Sequence, residues 1–137
     1  RGRAGRDELT MENAQKIRPK FLDLSRIRLP VPGWVSILHR ISGFGLFLVL
    51  PFLLWVLDNS LHSRSSFARF QAAISTPLAK LVLLGLLWAF LHHLLAGLRH
   101  IAMDLDWGVD LAAGRASAKL VLIASLLLTV ILGAMLW

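Results

Sequence analysis

Three apolar runs decide what this chain can fold into. They cover residues 34–57, 77–103 and 118–137, each about twenty residues or slightly more. At about 1.5 Å per residue, twenty residues of helix reach roughly 30 Å, the thickness of a bilayer's hydrocarbon core. In lipid every backbone N–H and C=O must be satisfied within the protein, which favours helices. The expected fold is therefore an all-α integral membrane protein with three transmembrane helices running up, down and up. Residues 1–33 form a basic N-terminal segment ahead of it, and residues 34–137 form the transmembrane domain. Only 17% of the 137 residues are charged, against about 25% in a soluble domain, which again points to lipid.

The net charge of +7 is unevenly placed. Eight of the fifteen basic residues (Arg1, Arg3, Arg6, Lys16, Arg18, Lys20, Arg26 and Arg28) precede the first apolar run. A basic flank of this kind predicts a cytoplasmic N-terminus, in a multi-pass arrangement that leaves the C-terminus on the other side. The cluster lacks the aromatic interleaving and the motifs of a nucleic-acid binder, so no nucleic acid is expected as partner. Cysteine is absent, which excludes disulfides and iron–sulfur ligation by this chain. Arg1–Thr10 precede Met11, a candidate natural start.

Pro19, Pro30, Pro32 and Gly33 predict an irregular approach to the first span, which contains Pro51, a candidate kink. Asp58, Asn59 and Ser60 end that span. A polar, helix-compatible connector with Arg64 and Arg69 follows, and Thr76-Pro77 supplies a cap and first-turn proline for the second span. Asp104, Asp106, Gly108 and Asp110 predict a turn, with Gly114-Arg115 leading into the third span. Trp34, Trp55, Trp107 and Trp137 fall near span ends, as an aromatic belt would.

Inside the second span lies His92-His93-Leu94-Leu95-Ala96-Gly97-Leu98-Arg99-His100. Charged side chains at bilayer depth cost roughly 2.5–3.5 kcal/mol on insertion scales, so they usually mark a site. His93, Gly97 and His100 are spaced i, i+4, i+7 and share a helical face. Neutral imidazole is a common haem-iron ligand, and a glycine one turn away would clear room for a flat macrocycle. His100 falls about 6 Å, and His93 about 16 Å, from the end of the span at Asp104. His92 points about 100° away, toward a partner helix, headgroups or water. A second set, Ser36, His39, Arg40 and Gly43, shares one face at the start of the first span. Ser36 and Arg40, one turn apart, can both donate to an oxygen acceptor such as a quinone carbonyl or a propionate. Plainer readings stand beside these: Arg40 snorkels to headgroups, the glycines serve helix packing, and His62 is a solvent-exposed connector residue.

These segments match a known pattern. Arg18-Pro19, Leu22-Asp23-Leu24 and Ile27-Arg28-Leu29-Pro30 resemble the N-terminal segment of the cytochrome b membrane-anchor subunits of succinate dehydrogenase (respiratory complex II), in their bacterial form. Ser36-Ile37-Leu38-His39-Arg40-Ile41-Ser42-Gly43 is similar to that family's S-x-x-H-R-x-[ST]-G signature. His93 through Asp104 is similar to its H-x-x-x-G-x-R-H-x-x-x-D signature. The resemblance covers roughly residues 18–137.

The resemblance implies an anchor that pairs with a second small membrane-anchor subunit and docks an iron–sulfur subunit and a flavoprotein subunit. It implies a bacterial cytoplasmic (inner) membrane location and a place in electron transport and the tricarboxylic acid cycle. It carries the haem b axial ligand onto His93, with the haem shared with the partner anchor. It carries the haem propionate contacts onto His39, Arg40 and His100, and the ubiquinone site onto Ser36 and Arg40. The chain itself would not oxidise succinate. His92 stands where the family has an aromatic or other residue, and a one-residue slip would make it the ligand; Gly97 and His100 share the face of His93. The alternatives are the anchor of a quinol:fumarate reductase and a colourless membrane scaffold without a redox cofactor.

Overall fold

A computed structural model describes residues 28–136, with side chains through Met135. The expected start at Met11, most of the basic segment, the motifs at residues 18–27 and the belt residue Trp137 lie outside the described residues.

Four helices are present: α1 (Val31–Leu61), α2 (Arg64–Ile74), α3 (Pro77–Asp104) and α4 (Leu111–Leu136). Three of them, α1, α3 and α4, are long and apolar enough to cross a membrane. The chain is thus an all-α, multi-pass membrane protein.

The boundaries follow local chemistry. Helix α1 begins at Val31, three residues before the expected start, because Pro30 is extended and Pro32 occupies the first turn. A first-turn N–H has no helical partner, so proline loses nothing there. The C-terminal carbonyls of α1 are closed by side chains: Asn59 Nδ2 donates to Trp55 O (2.7 Å), Ser60 Oγ to Leu57 O (2.7 Å) and His62 Nδ1 to Asp58 O (2.8 Å). These bonds satisfy groups that a helix end leaves open, and they carry α1 four residues past the expected Leu57.

Helix α2 starts on a reciprocal cap. Ser66 N–H donates to Ser63 Oγ (3.1 Å), and Ser63 N–H donates to Ser66 Oγ (2.9 Å). Thr76 caps α3, accepting from Ala79 N–H at 3.4 Å, with Pro77 in the first turn. After Asp104 the chain reverses through two left-handed residues, Asp106 (φ 61°) and Gly108 (φ 68°). Asp110 Oδ1 then accepts from Ala112 and Ala113 N–H at 3.0 and 2.9 Å. That cap starts α4 at Leu111, so Gly114-Arg115 lies inside the helix and not in the connector that leads to it.

Helix α3 packs against both α1 and α4. Antiparallel directions follow from the contacts: Gly43 meets His93 while Gly97 meets His39, and Arg99 bonds Ser117 across the short turn. The buried interior is small. Among the described residues its apolar part is Val35, Leu91, Ala96, Ala118 and Val121, with Ser60, His92, Arg99 and Ser125 buried beside them. Small side chains at the crossings let helices approach where no hydrophobic drive separates protein from lipid. Phe44, Phe47, Trp55, Leu120 and Val130 project outward, as expected where lipid or another subunit provides the apolar surroundings.

Candidate functional site

The candidate site sits where α1 crosses α3. Helix α3 delivers His93 and His100 from one face, two turns apart, and α1 delivers His39. The His39 and His93 rings stack at 4.2 Å with planes 10° apart, and the His39 and His100 rings lie 5.1 Å apart, tilted by 51°. Three histidines that are separate in the sequence therefore form one cluster.

His93 is held by a directed bond. Its Nδ1–H donates to the His39 carbonyl at 3.0 Å. Ser42 Oγ also donates to that carbonyl at 3.0 Å and lies 3.4 Å from His93 Nδ1. A proton on Nδ1 leaves the Nε2 lone pair free, and Nε2 has no hydrogen-bond partner in the chain. A backbone carbonyl on one imidazole nitrogen, with the other nitrogen left as a base, is the arrangement that orients metal-ligating histidines.

The ring has room because of a glycine, though not the expected one. A Cβ on Gly43 would lie 2.5 Å from His93 Cε1, so only glycine fits beneath that ring. A Cβ on Gly97 would meet only His39 Nε2, at 3.5 Å, an ordinary contact. Sequence spacing placed Gly97 and His93 on a shared face; it did not show which glycine on the facing helix lies under the imidazole.

Ser36 and Arg40 come together one turn apart on α1, Arg40 Nη2 donating to Ser36 Oγ at 3.4 Å. Arg40 is exposed, Ser36 half-buried, and this is Arg40's one hydrogen bond among the described residues. The guanidinium keeps most of its donors for another acceptor. It makes no hydrogen bond or ion pair with His39 or His100.

His92 and His93 separate completely. His92 is fully buried, and neither of its ring nitrogens has a hydrogen-bond partner. Its ring packs on Trp88 at 5.5 Å. Of the facing groups named in advance, the partner helix is the one realised. His62 is exposed, as expected.

Arg99 was legible as a charge at bilayer depth, but its role was not. It is 9% exposed and turns toward α4, where Nε donates to Ser117 Oγ (2.9 Å) and Nη2 to Gly114 O (3.1 Å). Its charge is solvated by the chain itself. Ser42, the group beside His93 Nδ1, was also missed, although it stands three residues after His39.

Among the described residues no set of three or more metal-ligating side chains converges as a complete metal site. The crossing instead offers one imidazole with a free nitrogen, flanked by polar donors and two more imidazoles. Fold and site together define a three-span membrane subunit carrying half of a cofactor site, open toward another polypeptide.

Comparison with known proteins gives the family. The model for the succinate dehydrogenase/fumarate reductase transmembrane subunit matches residues 14–132, and the chain belongs to that family. A succinate dehydrogenase cytochrome b556 subunit from Coxiella burnetii is 39% identical over 121 residues, covering 88% of this chain and 97% of the relative. A protein of the same name from Paracoccus denitrificans is 32% identical over 114 residues, covering 83% and 88%. One from Rickettsia felis is 29% identical over 123 residues, covering 90% and 96%. The chain is accordingly a membrane-anchor subunit of the oxidoreductase complex that this family serves.

Proposed function

We propose that this chain anchors a succinate:quinone oxidoreductase, shares a b-type haem with a second anchor subunit and completes part of a ubiquinone-reduction site. The observation that carries the reading is the His93 geometry: Nδ1–H bonded to the His39 carbonyl at 3.0 Å, Nε2 without a partner. The name cytochrome b556 borne by the relatives supports a b-type haem. One imidazole is half of a bis-histidine pair, so the other axial ligand belongs to the partner anchor. When bound, the haem supplies one-electron transfer.

The chain's own residues have separable tasks. His93 offers the iron a neutral nitrogen whose orientation the His39 carbonyl holds. His39, His100 and Arg40 supply donors at the end of the crossing where carboxylate propionates would lie, and charge-assisted bonds there are strong. Ser36 and Arg40, already in contact, present two donors toward a quinone oxygen. Succinate oxidation takes place in the flavoprotein and iron–sulfur subunits that this anchor docks on the bacterial inner membrane, with its N-terminus cytoplasmic as the basic flank requires. The named relatives favour the succinate-oxidising direction over a quinol:fumarate reductase.

A dithionite-reduced minus oxidised spectrum of the complex, captured through a tag on this chain, tests the reading. A b-type α band with co-purifying soluble subunits supports it. No band with those subunits present makes the chain a quinone-only anchor, and neither band nor subunits overturns the reading.

A further inference from the structure

His92 is a costly residue in its position. A fully buried imidazole with two unpaired nitrogens leaves hydrogen-bonding capacity unused in a low-dielectric interior, at a cost of roughly 1–3 kcal/mol for each unsatisfied group. Both nitrogens also lack water-accessible surface, so an ordered water does not fit beside them without rearrangement. Any partner must come from the protein already packed there.

That partner is on α1. Val35 is fully buried, like His92, and its backbone carbonyl lies beside the His92 ring, just outside good hydrogen-bond geometry. Val35 and His39 are four residues apart, so their carbonyls are stacked one turn apart on the same side of α1. The His39 carbonyl already accepts from His93. A backbone carbonyl has two lone pairs, so Val35 can take a second donor while keeping its helical bond.

We propose that His92 is a positioning residue whose ring N–H bonds the Val35 carbonyl, so that His92 and His93 together clasp two successive carbonyls of α1. The clasp sets the depth and rotation of α3 on α1. His93 hangs from the adjacent position, above a glycine that leaves its ring no slack on the Gly43 side. Shifting α3 therefore turns the His93 imidazole. The effect on bound haem rests on the ligand reading above; the clasp itself does not.

Two measurements on the assembled complex from membranes test it. In wild-type protein carrying ¹⁵N-histidine and ¹³C-carbonyl valine, solid-state dipolar recoupling reads contact between a histidine ring nitrogen and a valine carbonyl. Such a contact, lost in His92→Phe, supports the clasp, and its absence in the wild type overturns it without any variant having to fold.

The second measurement is the ferric low-spin electron paramagnetic resonance signal together with the haem midpoint potential. His92→Phe fills the volume without an N–H donor and is expected to shift both, while His92→Gln, which keeps a donor, returns them toward wild type. A wild-type signal and potential in His92→Phe overturns the positioning role. A His93→Leu control separates the readings: a retained bis-histidine spectrum sinks the ligand assignment and leaves the recoupling result intact.

Discussion

Helix α3 carries polar side chains on two faces, and they are treated in opposite ways. Toward α4, Arg99 is buried and both of its bonds end on residues of this chain, Ser117 and Gly114. Toward α1, His93 is bonded on one nitrogen only, and Arg40 and Ser36 hold each other at 3.4 Å with donors to spare. Both faces meet the same expense of placing polar groups in lipid. A closed set of bonds is architecture, whereas an open set marks where another molecule completes the structure.

The sharpest way to break this contrast is to remove one residue from each face. His93→Leu should abolish the bis-histidine haem spectrum while the spans still insert, because leucine suits a membrane helix better than histidine does. Arg99→Met should act the other way. It removes two bonds made by a charged donor, worth about 1.5–3 kcal/mol each before relaxation, and should lower the thermal stability of the purified complex. The haem that remains bound should keep its band position. Loss of the haem signal with unchanged stability in Arg99→Met would reverse the assignment of the two faces.

A smaller effect separates the two glycines. Gly43→Ala forces the His93 ring to move, and overpacking of this kind costs about 1–3 kcal/mol. Gly97→Ala makes only an ordinary contact with His39. The first should shift the haem spectrum and lower the melting midpoint, and the second should leave both near wild type. Equal responses would place the clearance around His93 somewhere other than on α1.

The smallest effects belong to the exposed donors. Arg40→Ala should leave stability nearly unchanged, since one long hydrogen bond on an exposed side chain contributes little. It should slow quinone reduction while succinate oxidation with artificial acceptors persists. Ser36→Ala should act in the same direction, more weakly. A parallel fall of both activities in either variant would remove these residues from the quinone site.

Much of the scaffold was readable in advance because lipid leaves a chain few options. Three apolar runs of bilayer length had to be helices, and Thr76-Pro77 and the Asp104–Asp110 turn were legible from cap and turn chemistry. The ends were less so. Ser60 and His62 extend α1 by bonding its last carbonyls, and Asp110 starts α4 seven residues early; such bonds depend on which rotamer a short polar side chain adopts. In the candidate site, the shared face of His93 and His100 and the pairing of Ser36 with Arg40 follow from helical spacing. That Gly43 lies under His93, that Ser42 flanks its Nδ1 and that Arg99 turns to α4 do not, since each is a contact between helices.

The amino-acid order alone determined that this is a three-span membrane protein with imidazoles and guanidinium groups at defined positions along each helix. Periodicity within one helix settles which side chains share a face. Only the packing of α1, α3 and α4 decided which face meets which helix, and so which of two adjacent histidines is sealed inside and which keeps a free nitrogen. Two neighbours on a helix differ by about 100° in direction, and the rotation of α3 against its partners is set by how small residues such as Gly43, Ala96 and Ala118 let the backbones close.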